Sequence, residues 1–354
     1  MKITNYAEVI SWLRETDNRR LERLWRAANE ARKNNVGDAV QVRGLLEVSN
    51  YCVRKCNYCG INVTNRSCER YRIDPLEVFE LAKQAASLGY KTIVLQAGED
   101  PALTGEWISC VIKKIKKEIP SLAITLSLGE RSFSEIKQWR QVGADRYLLR
   151  FETSDLDLYQ RVHPAKQLAA DKKITAHPRI ELLKELRRLG YEIGSGVMIG
   201  FLGQTYEILA QDLLTFHQLD LDMIGVGPYL VHPLTELALK EKERDLLADQ
   251  VPNTALMVYK ALALSRILCP TANLPVTTAL RVLDQKNSYL NGLNRGANVV
   301  MLNLTPIRFY KQYEIYPGKA HQKTSMTEGL VNFEQVLVKL GRALGQDIGS
   351  RKKP

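Results

Sequence analysis

Eight short apolar segments, rich in β-branched residues, alternate with amphipathic helical stretches along most of this 354-residue chain. They are Val42–Val48, Thr92–Ala97, Ala123–Leu128, Arg146–Phe151, Ile193–Ile199, Asp222–Val226, Leu274–Ala279 and Asn298–Asn303. Between them, apolar residues recur every three or four positions over Pro75–Leu88, Ile108–Glu118, Phe133–Val142, Ile180–Leu189, Tyr206–Gln218 and Asn253–Leu268. A weaker pattern over 282–294 reads as a short helix. Strands separated by helices pair in parallel, because each helix carries the chain back across the sheet. Eight such units predict an α/β fold, a complete (β/α)8 TIM-type barrel. A doubly wound open sheet has the same periodicity and is the alternative. Residues from about 6 to 35 read as a helix, with Trp12, Leu13, Leu21, Leu24, Trp25 and Ala28 on one face. The expected organisation is an N-terminal helical extension over 1–37, the barrel over 38–304, and a short C-terminal extension over 305–354 that closes the barrel.

At 45% hydrophobic residues the chain can fill a barrel-sized core. No apolar run reaches the roughly 18 residues of a membrane span. The charged start, Met1 to Tyr6, is no apolar signal segment. The expectation is a soluble cytoplasmic protein with no membrane partner. The net charge of +11 is spread along the chain, with small runs at Lys113–Lys117 and Arg351–Lys353. It reads as a solvated basic surface. No nucleic-acid module is recognisable, so no nucleic-acid partner is expected.

In a barrel, chemistry belongs at the C-terminal strand ends. There the sequence places a cysteine-rich loop after the first strand, Gln96-Ala97-Gly98-Glu99-Asp100 after the second, and Ser127-Leu128-Gly129-Glu130 after the third. Arg150-Phe151-Glu152-Thr153 follows at the fourth strand, His232 beyond the sixth, Thr277-Thr278 at the seventh, and Met301 and Asn303 at the eighth. On a regular strand Arg150 and Glu152 share one face, as a charged pair that needs a ligand or mutual pairing.

Six cysteines lie at 52, 56, 59, 68, 110 and 269, and the first three form C-x3-C-x2-C. A secreted disulfide framework would be denser in a shorter chain. Cys52, Cys56 and Cys59 can each ligate one iron of a [4Fe–4S] cluster, leaving the fourth iron open to a small chelating molecule. Tyr58, just before the third cysteine, suits stacking on a purine. The alternative is a structural zinc site with Cys68 as fourth ligand, although the second C-x2-C element usual in such sites is missing. Cys68, Cys110 and Cys269 otherwise read as plain thiols. The histidines 163, 177, 217, 232 and 321 show no ligand spacing. Thr277 and Thr278 have an ordinary reading as strand-formers, and Met198 and Met301 as core fillers.

The cysteine motif, with its aromatic and its place after a first barrel strand, resembles the radical S-adenosylmethionine (SAM) superfamily. Within it the chain resembles the HydE family, the maturases of [FeFe]-hydrogenase, from about Gly37 to Lys319. The carrying segments are Glu69–Arg72, Thr92–Pro101, Thr125–Glu130, Ala144–Arg150, Gly225–Pro228, Gly296–Met301 and Tyr316–Lys319. The resemblance implies two cofactors, a [4Fe–4S] cluster on Cys52, Cys56 and Cys59, and SAM. It implies SAM contacts from Tyr58, Gln96, Gly98, Glu99, Ser127, Glu152, Arg179, Met198 and Val226. It implies substrate contacts from Arg150, Thr277, Thr278, Met301 and Tyr316, with Arg150 also serving catalysis. The implied reaction is reductive cleavage of SAM to a 5′-deoxyadenosyl radical that acts on a cysteine-bound iron carbonyl–cyanide precursor of the diiron subcluster. Its partners are that small organometallic substrate, an external electron donor and other hydrogenase maturation proteins.

Two departures stand out. Phe151 occupies a position where the family often has histidine, and residues 320–354 contain no cysteine for the second cluster of some relatives. Biotin synthase is disfavoured, because its extra barrel cysteines and Asn-His-Asn run are missing. A methylornithine synthase-like enzyme is the runner-up. A non-catalytic iron–sulfur scaffold is the alternative from another class, and a zinc-knuckle RNA binder the weakest.

Overall fold

The computed structural model describes residues 1–3, 5–164, 175–242, 248–319 and 325–352. The sequence readings on His321, Lys353 and the middle of 155–178 fall outside the described residues.

The strands are β1 (Ala39–Ser49), β2 (Thr92–Ala97), β3 (Ala123–Ser127), β4 (Arg146–Leu148), β5 (Glu192–Ile199), β6 (Met223–Pro228), β7 (Pro275–Val276), β8 (Val299–Asn303) and β9 (Ala343–Leu344). The first eight form one parallel sheet in the order β6-β5-β4-β3-β2-β1-β8-β7. A single parallel bridge, Met223 to Asn273, joins β6 to the residues just before β7 and closes the ring. The bridge is built by Ile224 N–H donating to Asn273 O at 2.9 Å and Asn273 N–H to Asp222 O at 2.9 Å. The expected (β/α)8 barrel is therefore present, and β6–β7 is its thinnest seam.

The helices start where short polar side chains cap them. Asp74 caps Pro75–Ser87, Thr104 caps Gly105–Glu118, Ser132 closes a capping box with Glu135, and Thr205 caps Tyr206–Gln218. Their apolar faces bury against the sheet, with Trp139, Leu183 and Leu213 fully covered. Helix Ala255–Leu268 is buried almost all round, because the N-terminal extension covers its outer side and Lys260 Nζ donates to Leu13 O at 2.9 Å. That extension is two helices, Tyr6–Arg14 and Asn18–Val36, where one was expected. The break falls at Asp17, whose side chain caps the second helix.

β9 pairs with the start of β1, and the segment after it lies across the N-terminal end of the barrel. Ile348 O accepts from Thr92 Oγ1 at 2.9 Å and from Arg146 Nη2 at 2.8 Å, and Gly349 O accepts from Asn273 Nδ2 at 2.9 Å. The opposite, C-terminal end carries the cysteine loop. Among the described residues no helix is long and apolar enough to cross a membrane.

Two strands are shorter than the sequence indicates. β4 stops at Leu148, and Leu149 to Glu152 continue toward β5 in an irregular path, with Glu152 at φ +65°. β7 has two residues, and Thr277 leaves the sheet to cap helix Thr278–Leu283.

Candidate active site

The cysteine loop leaves β1 at Ser49 and crosses directly over the end of β2. Gly98 N–H donates to Ser49 O at 3.1 Å, and Val53 N–H donates to Glu99 O at 3.0 Å. The approach is so close that a Cβ on Gly98 would lie 2.2 Å from Tyr51 O and 2.8 Å from Cys52 Cβ. Arg70 holds the far side, donating to the carbonyls of Asn50 at 2.6 Å, Ile61 at 2.7 Å and Asn62 at 2.7 Å. Asn62 Nδ2 donates to Cys59 O at 2.7 Å.

Cys56 is buried, and Cys52 and Cys59 are partly so. Cys52 Sγ accepts from the backbone N–H groups of Arg54 and Glu99, both at 3.4 Å. Burial pushes the Cys56 thiol up to about 12, against the pull of the Arg179 guanidinium. Burial likewise raises Cys59 well above its ordinary value, and the neighbouring Cys56 adds to this. Thiolates this desolvated need a positive partner, which iron supplies. Backbone N–H donors to a ligand sulfur favour the same thing. Cys68 stands apart, accepting from Asn50 Nδ2 at 3.6 Å. Among the described residues no three His, Cys, Asp or Glu side chains converge on a point where a single ion would sit. The donor set fits a cluster.

Beside the loop, at the C-terminal strand ends, is a cavity of about 250 Å³ walled in part by Tyr58, Cys59, Gln96, Ser127, Glu152 and Met198. Arg150 and Arg179 also reach it. Arg150 Nη2 lies 3.0 Å from Glu152 Oε2 and donates to Val197 O at 2.7 Å, while its Nε is buried with no hydrogen-bond partner. The expected Arg150–Glu152 pairing is present, but its basis differs from a shared strand face. It follows from the irregular turn after β4, in which Glu152 N–H donates to Gly196 O at 3.1 Å. Fully buried Asp212 holds the next residues, accepting from Thr153 Oγ1 at 3.2 Å and from Ser154 N–H and Oγ at 2.5 and 2.7 Å. Arg179 is no exposed helix-end residue. It is buried, with Nε on Glu130 Oε1 at 2.9 Å and Nη1 on Arg150 O at 2.6 Å.

Deeper in the barrel a second cavity, of about 130 Å³, is lined in part by Thr277, Thr278, Met301, Thr125 and Arg43. Gln96, Leu148, Arg150, Ala279, Ile315 and Tyr316 line both cavities. Thr277 Oγ1 donates to Val226 O at 3.2 Å and caps Thr278–Leu283, so the threonine pair directly follows the end of β7 and starts a helix. Burial pushes the Tyr316 hydroxyl well above its ordinary value. One wall carries a buried ion pair, Lys319 Nζ to Glu47 Oε1 at 2.8 Å, both groups almost wholly covered.

The structure thus gathers Tyr58, Gln96, Ser127, Arg150, Glu152, Arg179, Met198, Thr277, Thr278, Met301 and Tyr316 around two adjoining cavities. Gly98, Glu99 and Val226 line neither of them. Gly98 makes room for the loop, Glu99 Oε2 accepts Glu130 N–H at 3.1 Å, and Val226 offers its carbonyl to Thr277. Phe151 is turned into the core, against Phe216 at 5.6 Å and His177 at 6.0 Å between ring centroids. Sequence reasoning passed over Glu130, Asp212, His163 and the Glu47–Lys319 pair. Glu130 and Lys319 sit within quoted segments, His163 is among the histidines without ligand spacing, and Asp212 and Glu47 carry no local signal.

Residues 46–214 match the family model described as the radical SAM superfamily. The chain is 40% identical over 332 residues to the [FeFe] hydrogenase maturase subunit HydE of Thermotoga maritima, covering 94% of this chain and 89% of that protein. This chain belongs to the HydE family of radical SAM enzymes. The 3-methylornithine synthase of Methanosarcina acetivorans is more distant, at 27% over 282 residues, or 79% of this chain and 74% of that one. The crystal structure of methylornithine synthase (PylB) shares the fold, with a TM-score of 0.78, 21% identity, and 98% of this chain and 95% of that chain covered. As a HydE-family radical SAM enzyme the chain uses a [4Fe–4S] cluster and SAM.

Proposed function

We propose that this enzyme acts as a HydE maturase, using SAM-derived radical chemistry on a cysteine-bound iron carbonyl–cyanide precursor of the [FeFe]-hydrogenase diiron subcluster. The observation that carries the reading is the pair of adjoining cavities with shared walls, one against the cysteine loop and one deeper in the barrel, in a chain 40% identical to a HydE protein. When bound, the cluster supplies the electron that splits SAM into methionine and a 5′-deoxyadenosyl radical.

Cys52, Cys56 and Cys59 hold the cluster. Tyr58, Gln96, Ser127, Glu152, Arg179 and Met198 surround SAM in the outer cavity. Glu152 offers a carboxylate to groups with N–H or O–H donors, and Arg150 lines both cavities with its guanidinium paired to Glu152. Thr277 and Thr278 face the substrate, with the Arg150 guanidinium favouring an anionic group such as a carboxylate. Met301 and Tyr316 complete the inner wall. Burial at this depth excludes water and stray hydrogen donors. The basic chain takes its electron from an external donor in the cytoplasm and passes its product to other maturation proteins.

The test is turnover with the synthetic cysteine-bound iron precursor, scored for its consumption together with 5′-deoxyadenosine. Precursor consumption that is lost in Thr277→Val supports the reading. If 5′-deoxyadenosine forms but the iron precursor is not consumed, the substrate assignment is wrong.

A further inference from the structure

His163 stands between two residues of the cysteine loop. Its Nδ1 lies 3.1 Å from Cys56 Sγ, and its Nε2 lies 2.5 Å from the Tyr58 hydroxyl. The imidazole is 2% exposed and stacks on Tyr159, with centroids 5.0 Å apart and planes at 19°. Its backbone is fixed from both sides. His163 N–H donates to Tyr159 O at 2.7 Å as the helix Leu156–Val162 ends. The cysteine loop reaches across to the same turn, with Asn57 N–H on Val162 O at 2.9 Å and Asn57 Nδ2 on Arg161 O at 2.7 Å. The contact with Cys56 is therefore held by the main chain on both partners.

The chemistry of the three groups fixes the direction of the hydrogen bonds. A cluster-bound cysteine is a thiolate and only accepts. Nδ1 must then carry the proton. A neutral imidazole has one donor, so Nε2 accepts, and the Tyr58 O–H donates to it. The relay runs Tyr58 O–H to His163 Nε2, then His163 Nδ1–H to Cys56 Sγ. Hydrogen bonds to ligand sulfurs and local burial set the reduction potential of an iron–sulfur cluster. An N–H aimed at sulfur favours the reduced, more negative state.

We propose that His163 is a positioning residue that raises the reduction potential of the cluster by donating Nδ1–H to the Cys56 sulfur, with Tyr58 fixing its tautomer. The proposal rests on the assignment of Cys56 as a cluster ligand. It gives Tyr58 a role beyond lining the SAM cavity. It also concerns the entry of one electron from the external donor.

The experiment is an anaerobic redox titration of the reconstituted full-length protein, followed by electron paramagnetic resonance. Wild type is compared with His163→Phe, which keeps the stack on Tyr159 but has no donor, with His163→Asn, which restores an N–H, and with Tyr58→Phe. The expected result is unchanged iron content and a midpoint lower by at least ~59 mV in His163→Phe, a tenfold change in the reduction equilibrium. His163→Asn recovers part of the shift, and Tyr58→Phe gives a smaller fall. A midpoint that stays at the wild-type value in His163→Phe overturns the proposal. If that variant loses its cluster, an unshifted Tyr58→Phe does so instead. Failure of the wild type itself to bind iron on Cys56, seen as equal iron in Cys56→Ala, sinks the underlying ligand assignment and not this proposal alone.

Discussion

Gly98→Ala tests whether the cysteine loop owes its position to the missing side chain beneath it. The added Cβ would fall 2.2 Å from Tyr51 O, 2.8 Å from Cys52 Cβ and 3.0 Å from Tyr51 C. These atoms belong to the loop itself, so no side chain can rotate away to relieve the clash. Ordinary contacts require the Tyr51 carbonyl to retreat by ~1 Å, and it carries Cys52 with it. Strain of this kind costs about 1–3 kcal/mol, which a domain of this size survives. The chemistry is less tolerant, since a ~1 Å misplacement costs ~100-fold in rate. The expected outcome is a variant that folds, loses about 1–3 kcal/mol in urea unfolding, binds less iron after reconstitution, and forms 5′-deoxyadenosine ~100-fold more slowly. Wild-type iron content and rate in Gly98→Ala would refute the reasoning, because the loop would then have another way to reach its position.

Lys319→Ala strands the buried Glu47 carboxylate and should cost about 3–5 kcal/mol in urea unfolding, most of it recovered by adding Glu47→Gln; a loss below ~1 kcal/mol would show the pair to be dispensable. His177 Nε2 lies 2.9 Å from Thr153 O, and its Nδ1 accepts Ile180 N–H at 3.4 Å. Burial, the largest cause, lowers this imidazole to about 4. Its neutral form is favoured in the folded state, so its contribution is complete above the unfolded value of about 6.5 and is lost as pH falls toward 4. Unfolding measured from pH 7.5 to pH 4 should show about 3 kcal/mol of this loss, and His177→Asn should flatten that part of the profile. Glu152→Gln keeps the shape of the side chain and removes its charge. SAM affinity of the reconstituted protein, measured by equilibrium binding, should fall about tenfold or more at unchanged iron content; equal affinity would remove Glu152 from the SAM site.

Much of the barrel is legible in the sequence because most strands are compact apolar runs and helices such as Pro75–Ser87, Gly105–Glu118, Phe133–Gln141 and Tyr206–Gln218 begin at a side chain that caps them. β2 and β3 lie almost where the pattern puts them. The pattern overextends β4, since Leu149 and Phe151 continue the apolar alternation. The chain there is shaped by tertiary partners, Ser195 Oγ on Leu149 O at 2.8 Å and Asp212 on Ser154, and local propensity carries no trace of them. Thr277-Thr278 misleads for a related reason. Threonine favours strands through its branching and helix starts through its hydroxyl, and the second use prevails. The cysteine motif is legible because its chemistry is local to eight residues. Glu47 and Lys319 are far apart in the chain, and the His163–Cys56 contact depends on the turn after Val162, so neither leaves a sequence pattern. Gly98 was legible as a special position but not in its role. A glycine is needed there because another segment passes close by, and spacing cannot show which segment that is.

The central claim is that Cys52, Cys56 and Cys59 carry a cluster that cleaves SAM beside the inner cavity. The direct test is anaerobic reconstitution with iron and sulfide, reduction in the presence of SAM, and quantitation of 5′-deoxyadenosine for wild type and for each cysteine replaced by alanine. The account predicts 5′-deoxyadenosine from the wild type and its loss in all three variants, with Cys68→Ala retaining activity. A protein that assembles its cluster and leaves SAM intact, or a Cys56→Ala variant that cleaves SAM as well as wild type, would contradict it.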